Sequence, residues 1–355
     1  MLPASLIDLS DFSSEEWQKI VSLALKIKEH PEAYFGRCEG KILATLFYEP
    51  STRTQMSFQT AMLRLGGQTI GFDNPMNSSV AKGENLRDTI KIISGYADIL
   101  VIRHPMEGAA KAAALNADCP VINAGDGGHL HPTQTLTDLV TLMQEKGRLD
   151  HLTIGLCGDL KNGRTVHSLI KTLAPFQNRF VLISTKDLCI PQYIRDILDA
   201  NGSSYEEVFS LEEAISELDV LYMTRIQKER FASQEEYDAQ KDVYVLDKEK
   251  LSHAKGSLRI LHPLPRVDEI TVDVDDDSRA VYFKQAVNGV YARMALILTL
   301  LSSEEKTPVP TGKEIKTATC RNTKCITHTE PYLPSCFQEC GDMLICDYCE
   351  DRFLI

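Results

Sequence analysis

Along residues 1–305 the hydrophobic positions alternate between two periods. Short unbroken apolar runs, KILATLF (41–47), 68–72, 98–102 and 119–123, read as buried strands. Between them apolar residues return at helical spacing. Ser13-Ser14-Glu15-Glu16 opens an amphipathic helix to about Glu29, with Ser13 and Glu16 at capping-box separation. Further helices are predicted from Ser51 to about Leu65, near 84–95, near 106–115, and from His131-Pro132 to about Lys146. Gly147 to Asp150 punctuates the chain, and the pattern restarts. LTIGLC (152–157) predicts a strand ending in a glycine turn, and Arg164 to about Leu173 a helix. Strands follow at 179–184, 219–223 and 258–261, and a last helix runs from about Gln285 to Leu301. Strands alternating with helices predict an α/β fold of parallel sheets covered by helices. Two successive runs predict two such domains, each doubly wound.

Length agrees, since 355 residues exceed one ordinary core. Residues 1–134, completed by a C-terminal helix at 285–304, form one expected domain, and 135–284 the other. KTPVPTGK marks a linker at 305–316, and 317–355 is a separate tail. The formal charge is −12, which excludes a general nucleic-acid surface built from clustered cations. No apolar stretch is long enough to span a membrane. MLPASLIDLSDF lacks the pattern of a secretory signal, so the expected compartment is the cytoplasm.

Against this acidic background, cationic and polar residues gather at predicted strand ends. FYEPSTRTQMSF (47–58) puts Ser51, Thr52, Arg53 and Thr54 at a helix start, where unpaired N–H groups and the helix dipole favour an anion. VIRHP places Arg103 just after a strand, and HPTQTLTDL places His131 and Gln134 at a helix start. GDLKNGRTVHSL places Arg164 in a strand-to-helix turn. MTRIQKER places Arg225 and Gln227 after another strand, and HPLPRVDEI (262–270) follows yet another. Ligands of parallel sheets gather at the carboxyl ends of strands. Together these segments predict a cleft between domains that binds small anions. The acidic stretch TVDVDDD (271–277) reads as a solvated loop, with a cation site as its alternative.

These segments, in this order and spacing, resemble the catalytic chain of the aspartate carbamoyltransferase family across residues 1–305. The resemblance implies transfer of a carbamoyl group from carbamoyl phosphate to L-aspartate, a step of pyrimidine biosynthesis, with no organic cofactor. It implies that Ser51, Thr52, Arg53 and Thr54 hold phosphate, and that Arg103, His131 and Thr54 donate to the carbonyl oxygen. Gln134 and the Leu264 carbonyl, with Pro265 beside it, would orient the carbamoyl amide and the incoming amine. Arg164, Arg225 and Gln227 would take the aspartate carboxylates. In NSSVAKGENLRDT (77–89), otherwise a polar surface loop, Ser78 and Lys82 would reach a neighbouring subunit's site, which implies a homotrimer. Ornithine as acceptor is disfavoured: Arg225 and Gln227 would repel an ammonium, and Pro263 stands where the ornithine-type motif carries a cysteine. A non-catalytic anion-binding paralogue is the reading from another class.

The tail holds six of the ten cysteines. Cys320 and Cys325 form C-x4-C, and Cys346 and Cys349 form C-x2-C, a separation that fits four thiolates around structural zinc. Cys336 and Cys340 form a further pair, so the spacing leaves the ligand choice open. The tail resembles the zinc domain of the aspartate carbamoyltransferase regulatory chain through CITHTEP (325–331) and CDYCEDRF (346–353). The nucleotide-binding domain that precedes it there is missing, so no response to ATP or CTP is expected. The tail's net negative charge opposes nucleic acid and favours docking on a catalytic domain, its own or a neighbour's. His328 is expected to make hydrogen bonds. Cys38, Cys119, Cys157, Cys189 and Trp17 are expected to pack.

Overall fold

The computed structural model describes residues 5–226, 231, 233–238, 240, 243–303 and 312–354. They divide into two compact units, Met1–Leu136 with Val290–Ile355, and Thr137–Gly289.

In the first unit, α1 (Ser14–Glu29) begins as expected. Ser13 Oγ accepts the Glu16 N–H, and the Glu16 carboxylate accepts the Ser13 N–H in return. Its buried face is Trp17, Ile20, Val21, Ala24 and Ile27, the spacing of one helical stripe. Then come β1 (Ile42–Phe47), α2 (Thr52–Arg64), β2 (Gln68–Phe72), α3 (Leu86–Ser94), β3 (Ile99–His104), α4 (Ala109–Ala114), β4 (Val121–Asp126) and the start of α5 (Pro132–Lys146), most of which belongs to the second unit. The four strands form a parallel sheet in the order β2-β1-β3-β4. Its strand order reverses between β1 and β3. Phe47 pairs with Arg103 in register there, so the last residue of one strand lies beside the cation of the other.

The second unit carries β5 (Thr153–Cys157), α6 (Arg164–Leu173), β6 (Arg179–Ile183), α7 (Gln192–Ala200) and β7 (Ser204–Val208). After these come α8 (Leu211–Ala214), β8 (Val220–Met223), α9 (Gln234–Asp238), α10 (Lys248–Ser252) and β9 (Arg259–Leu261). This sheet is also parallel, in the order β7-β6-β5-β8-β9, and reverses between β5 and β8. Strand β7 escaped the sequence reading because SYEEV lies at the sheet edge, mostly exposed, and carries two glutamates. The long helix α11 (Tyr282–Leu301) starts three residues earlier than predicted.

The acidic loop differs from both of its expected forms. Asp275 accepts from Arg266 and from the Tyr282 hydroxyl, and Asp277 pairs with Arg279 at 2.7 Å. Two of its carboxylates are therefore spent on arginines.

The tail adds an antiparallel sheet in the order β10 (Lys313–Glu314), β11 (Cys336–Cys340), β12 (Met343–Cys346), β13 (Arg352–Leu354), which the sequence reading did not draw. It docks on its own chain. Phe337, Leu344 and Tyr348 share a core with Leu100, Ile102 and the alanines of α4. Burying each such large side chain contributes about 1.5–3 kcal/mol. Only a helix as smooth as AAKAAA admits so close an approach. Gly108, at its N-terminus with φ +84, has no room for a side chain: a Cβ would lie 2.6 Å from that of Tyr348. Lys111 seals the contact, donating to the Asp347 carbonyl at 2.6 Å and facing its buried carboxylate at 3.2 Å.

Candidate active site and metal centre

The first group of candidate anion-binding residues lies where the order of the first sheet reverses. Strand β1 ends at Phe47, the chain turns through Glu49-Pro50, and α2 starts after Ser51. Ser51 occupies the N-cap position, yet its side chain caps no backbone N–H; the hydroxyl donates to Thr54 Oγ1 at 3.0 Å. First-turn amides are thereby left for a ligand. Arg103, at the end of β3, is buried. Its Nη1 donates to the Ala124 carbonyl at 3.2 Å, and its Nη2 lies 3.5 Å from Glu49 Oε2. Its Nε meets no hydrogen-bond partner among the described residues. Desolvation and then the charge of Arg103 pull the Arg53 pKa below its ordinary value. Burial is the larger of the two causes, and the positive charge of Arg103 adds to it. His131 and Thr54 are buried and Gln134 is half-buried. His131 and Gln134 enter at the start of α5, after the carboxyl end of β4, and the Gln134 N–H donates to the His131 carbonyl at 3.0 Å.

The second group lies at the reversal of the other sheet. β5 leads through Gly158 to Arg164, the first residue of α6, and β8 leads through Thr224 to Arg225. The Thr224 N–H donates to the Cys157 carbonyl at 2.8 Å, so the two arginine-bearing turns leave neighbouring strand ends. Gly158 has φ +122, and a Cβ there would meet the Thr224 carbonyl oxygen at 2.3 Å. Gln227 lies outside the described residues.

Leu264 follows β9 with φ +55, ahead of a cis peptide to Pro265. Its N–H donates to His262 Nδ1 at 2.7 Å, while His262 Nε2 contacts Glu269 Oε1 at 2.7 Å. An imidazole that accepts at Nδ1 carries its proton on Nε2. Burial pushes the Glu269 carboxyl up, but His262 and backbone N–H groups outweigh it and hold the pKa below its ordinary value. The Leu264 turn is thus fixed by a buried pair that the sequence reading passed over.

Ser78 and Lys82 lie in the loop between β2 and α3. The Ser78 hydroxyl donates to the Pro75 carbonyl at 2.7 Å, and Lys82 is exposed.

The sequence reading also missed Glu107, Asp126 and His129. Asp126 accepts from Gly108, Leu130 and Asn123. His129 Nδ1 lies 3.1 Å from Asp126 and its Nε2 3.7 Å from Glu350. Burial works against charging His129, yet the two carboxylates push its pKa up to about 10. GDGGHLHP signalled these residues only by placing a second histidine and an aspartate before His131.

In the tail, the Sγ atoms of Cys320, Cys325, Cys346 and Cys349 all lie within 4.8 Å of one another, and all four residues are buried. Cys320 and Cys349 are 3.5 Å apart, and Cys325 and Cys346 3.8 Å. A tetrahedral centre with Zn–S bonds of about 2.3 Å sets its sulfurs about 3.8 Å apart, so the donor set fits the metal. Cys336 is buried on β11 and Cys340 is exposed; neither belongs to the cluster. His328 Nε2 contacts the Cys320 carbonyl at 2.9 Å and also stands outside it.

Comparison with known proteins decides the family. The carbamoyl-P binding domain of aspartate/ornithine carbamoyltransferase matches residues 4–144, and its Asp/Orn binding domain matches residues 150–300. The chain belongs to the aspartate/ornithine carbamoyltransferase family. The aspartate carbamoyltransferase catalytic subunit of Clostridium perfringens is 61% identical over 298 residues, which span 83% of this chain and 97% of the relative. That of Clostridium novyi is 60% identical over 301 residues, 84% of this chain and 98% of the relative. Among solved structures, the catalytic subunit of M. jannaschii aspartate transcarbamoylase superposes with TM-score 0.79 at 49% identity, covering 84% of this chain and 98% of its own. Aspartate transcarbamoylase from Trypanosoma cruzi in complex with N-(phosphonacetyl)-L-aspartic acid gives TM-score 0.79 at 38% identity, covering 84% and 96%. Neither carbamoyltransferase domain match extends past residue 300, so the cysteine cluster lies beyond the matched span.

The cluster yields a direct test. Cys346→Ser removes stoichiometric zinc, measured by release to a chromogenic chelator, and lowers the melting temperature, whereas Cys340→Ser leaves both unchanged. Zinc retained at one per chain in Cys346→Ser contradicts the assignment.

Proposed function

We propose that this chain is an aspartate carbamoyltransferase, converting carbamoyl phosphate and L-aspartate to N-carbamoyl-L-aspartate and phosphate in pyrimidine biosynthesis. The observation that carries the reading is the buried Arg103 guanidinium at the end of β3, whose Nε has no hydrogen-bond partner among the described residues, beside the sheet reversal from which Ser51-Thr52-Arg53-Thr54 starts α2. Relatives at 61% identity are named aspartate carbamoyltransferase, and the Trypanosoma cruzi enzyme is known in complex with carbamoyl phosphate and aspartate.

In this reading Ser51, Thr52, Arg53 and Thr54 hold the phosphoryl group with the amides of the first helical turn. Arg103, with His131 and Thr54, donates to the carbonyl oxygen. The aspartate amine attacks the carbamoyl carbon, a C–N bond forms, and the bond from carbon to the phosphate oxygen breaks. Charge that builds on the carbonyl oxygen meets donors already in place, which is where such sites gain most. Gln134 and the Leu264 carbonyl, beside Pro265, orient the reacting nitrogens. Arg164 and Arg225, with Gln227, take the carboxylates, which suit bidentate guanidinium recognition. The amine proton leaves with phosphate. Orientation of two bound reactants supplies about 7–11 kcal/mol in favourable cases, so no covalent adduct is required.

The active form in this reading is a homotrimer, with Ser78 and Lys82 reaching the neighbouring subunit's site. Lys82 is exposed, and Met56 and Leu63 on α2 and Met76 in the loop after β2 leave apolar surface uncovered. Zinc held by Cys320, Cys325, Cys346 and Cys349 is structural, since four thiolates leave no open position. No described helix is long and apolar enough to cross a membrane. A cytoplasmic setting suits free thiols.

The purified chain is expected to carbamoylate L-aspartate and not L-ornithine. Arg103→Ala should lower kcat about 100–1,000-fold, the usual loss of one oxyanion donor, with the circular dichroism spectrum unchanged. Carbamoylation of ornithine in preference, or full activity in Arg103→Ala, contradicts the reading. Subunits inactivated by Lys82→Ala and by Arg53→Ala should regain activity when dissociated and mixed. A mixture that stays inactive removes the shared site.

A further inference from the structure

The tail grips the loop that follows β3, four residues past Arg103, and the loop that leads into His131. Beyond β3, the Glu107 N–H donates to the Lys324 carbonyl and the Glu107 carbonyl accepts the Ile326 N–H, both at 2.9 Å. Lys324 and Ile326 flank the cluster residue Cys325. The Glu107 side chain then works in two directions. One carboxylate oxygen accepts Asn322 Nδ2 from the tail at 2.6 Å, and the other accepts the Gly128 N–H at 3.2 Å. Gly128 lies in the loop between β4 and His131. Glu350, the residue after Cys349, also approaches this loop, its carboxylate 3.7 Å from His129 Nε2. Asp126 ties the two loops together by accepting both Gly108 N–H at 2.8 Å and Leu130 N–H at 3.0 Å.

We propose that the four-cysteine tail is an intrachain brace for the carbamoyl-phosphate half of the site, acting through Glu107 and Glu350 on the loop that follows the strand bearing Arg103 and on the loop that leads into His131. Glu107, Asn322, His129 and Glu350 are positioning residues: none supplies the reaction with a group. The contacts come from residues one to three positions from a cluster cysteine. Closing the cysteine cluster around its metal therefore fixes them, and opening it releases both loops. A tail that only added stability would need the packing of Tyr348 and Phe337 on α4. It would not need polar contacts aimed at residues 107 and 127–130. The brace touches only the first unit, so its effect falls on carbamoyl phosphate and leaves aspartate recognition alone.

This inference rests on the carbamoyltransferase reading, and its test keeps the two apart by including a binding measurement. The double variant Asn322→Ala/Glu350→Ala is compared with the unmodified full-length chain and with Arg352→Ala, an exposed change on β13. Zinc content, melting temperature, affinity for inorganic phosphate by calorimetry, and both KM values are measured. The double variant should keep one zinc per chain. Its phosphate affinity should fall and its KM for carbamoyl phosphate rise, each about tenfold, with kcat down by up to about a hundredfold, since a misplacement near 1 Å has that effect. The KM for aspartate and all properties of Arg352→Ala should stay within twofold, roughly the scatter of a neutral surface change. A lowered melting temperature with both KM values and phosphate affinity unchanged shows a merely structural role and overturns the proposal. Should the double variant lose zinc, Glu107→Gln, which turns an N–H2 toward Asn322, is judged by the same criteria. An unmodified chain that binds phosphate but forms no N-carbamoyl-L-aspartate defeats the functional reading, while the phosphate affinities still judge the brace.

Discussion

The burial of a charged guanidinium, Arg103 at the end of β3, is the constraint on which the first half of the site depends. Arg53 and Arg103 come from different elements and gain nothing from each other's company. Arg103 is buried with one guanidinium nitrogen unpartnered among the described residues, a cost of about 1–3 kcal/mol for a neutral donor and more for a charged one. A fold tolerates such a cost where a ligand relieves it. Parallel sheets suit the task because their strands all end on one edge, and the reversal of strand order opens a gap there. Each unit has such a reversal, the first between β1 and β3 and the second between β5 and β8.

The supporting side chains hold backbone more than they touch chemistry. His262 accepts the Leu264 N–H while Glu269 fixes its opposite nitrogen, which sets a leucine at positive φ. Asp126 draws together Gly108, Leu130 and His129. The tail extends this logic outward. Its four cysteines are gathered and buried, Asn322 donates to Glu107 at 2.6 Å, Glu350 lies 3.7 Å from His129, and all of α4 except Lys111 is alanine, which lets the tail approach. A few thiolates thereby organise a surface on which a small sheet packs, in a segment with little core of its own.

Much of this was legible in the sequence because local signals and tertiary demands agreed. The Ser13–Glu16 capping box, the apolar run of β1 and the helix beginning at Arg164 appear where the pattern put them. Candidate arginines were legible because cations at strand ends stand out in an acidic chain. The four-cysteine cluster selected the outer pairs from a spacing that left Cys336 and Cys340 open. What escaped had no periodic signature. Strand β7 is an exposed edge rich in glutamate, and the tail's sheet is made of strands too short to show alternation. Glu107, His129 and Glu350 matter only through partners distant in sequence, which periodicity cannot reveal. The acidic loop misled for the same reason, since Arg266 and Arg279 claim its carboxylates only in the folded chain.

If these arginines exist to receive an anion, phosphate must stabilise the folded protein by compensating their charge. The direct measurement is the melting temperature as inorganic phosphate is added at constant ionic strength, for the unmodified chain and for Arg53→Met. The unmodified chain should melt higher with phosphate, following the mass-action law for a single site on the native state, and Arg53→Met should not respond. An equal rise in both proteins, or none in either, contradicts the account.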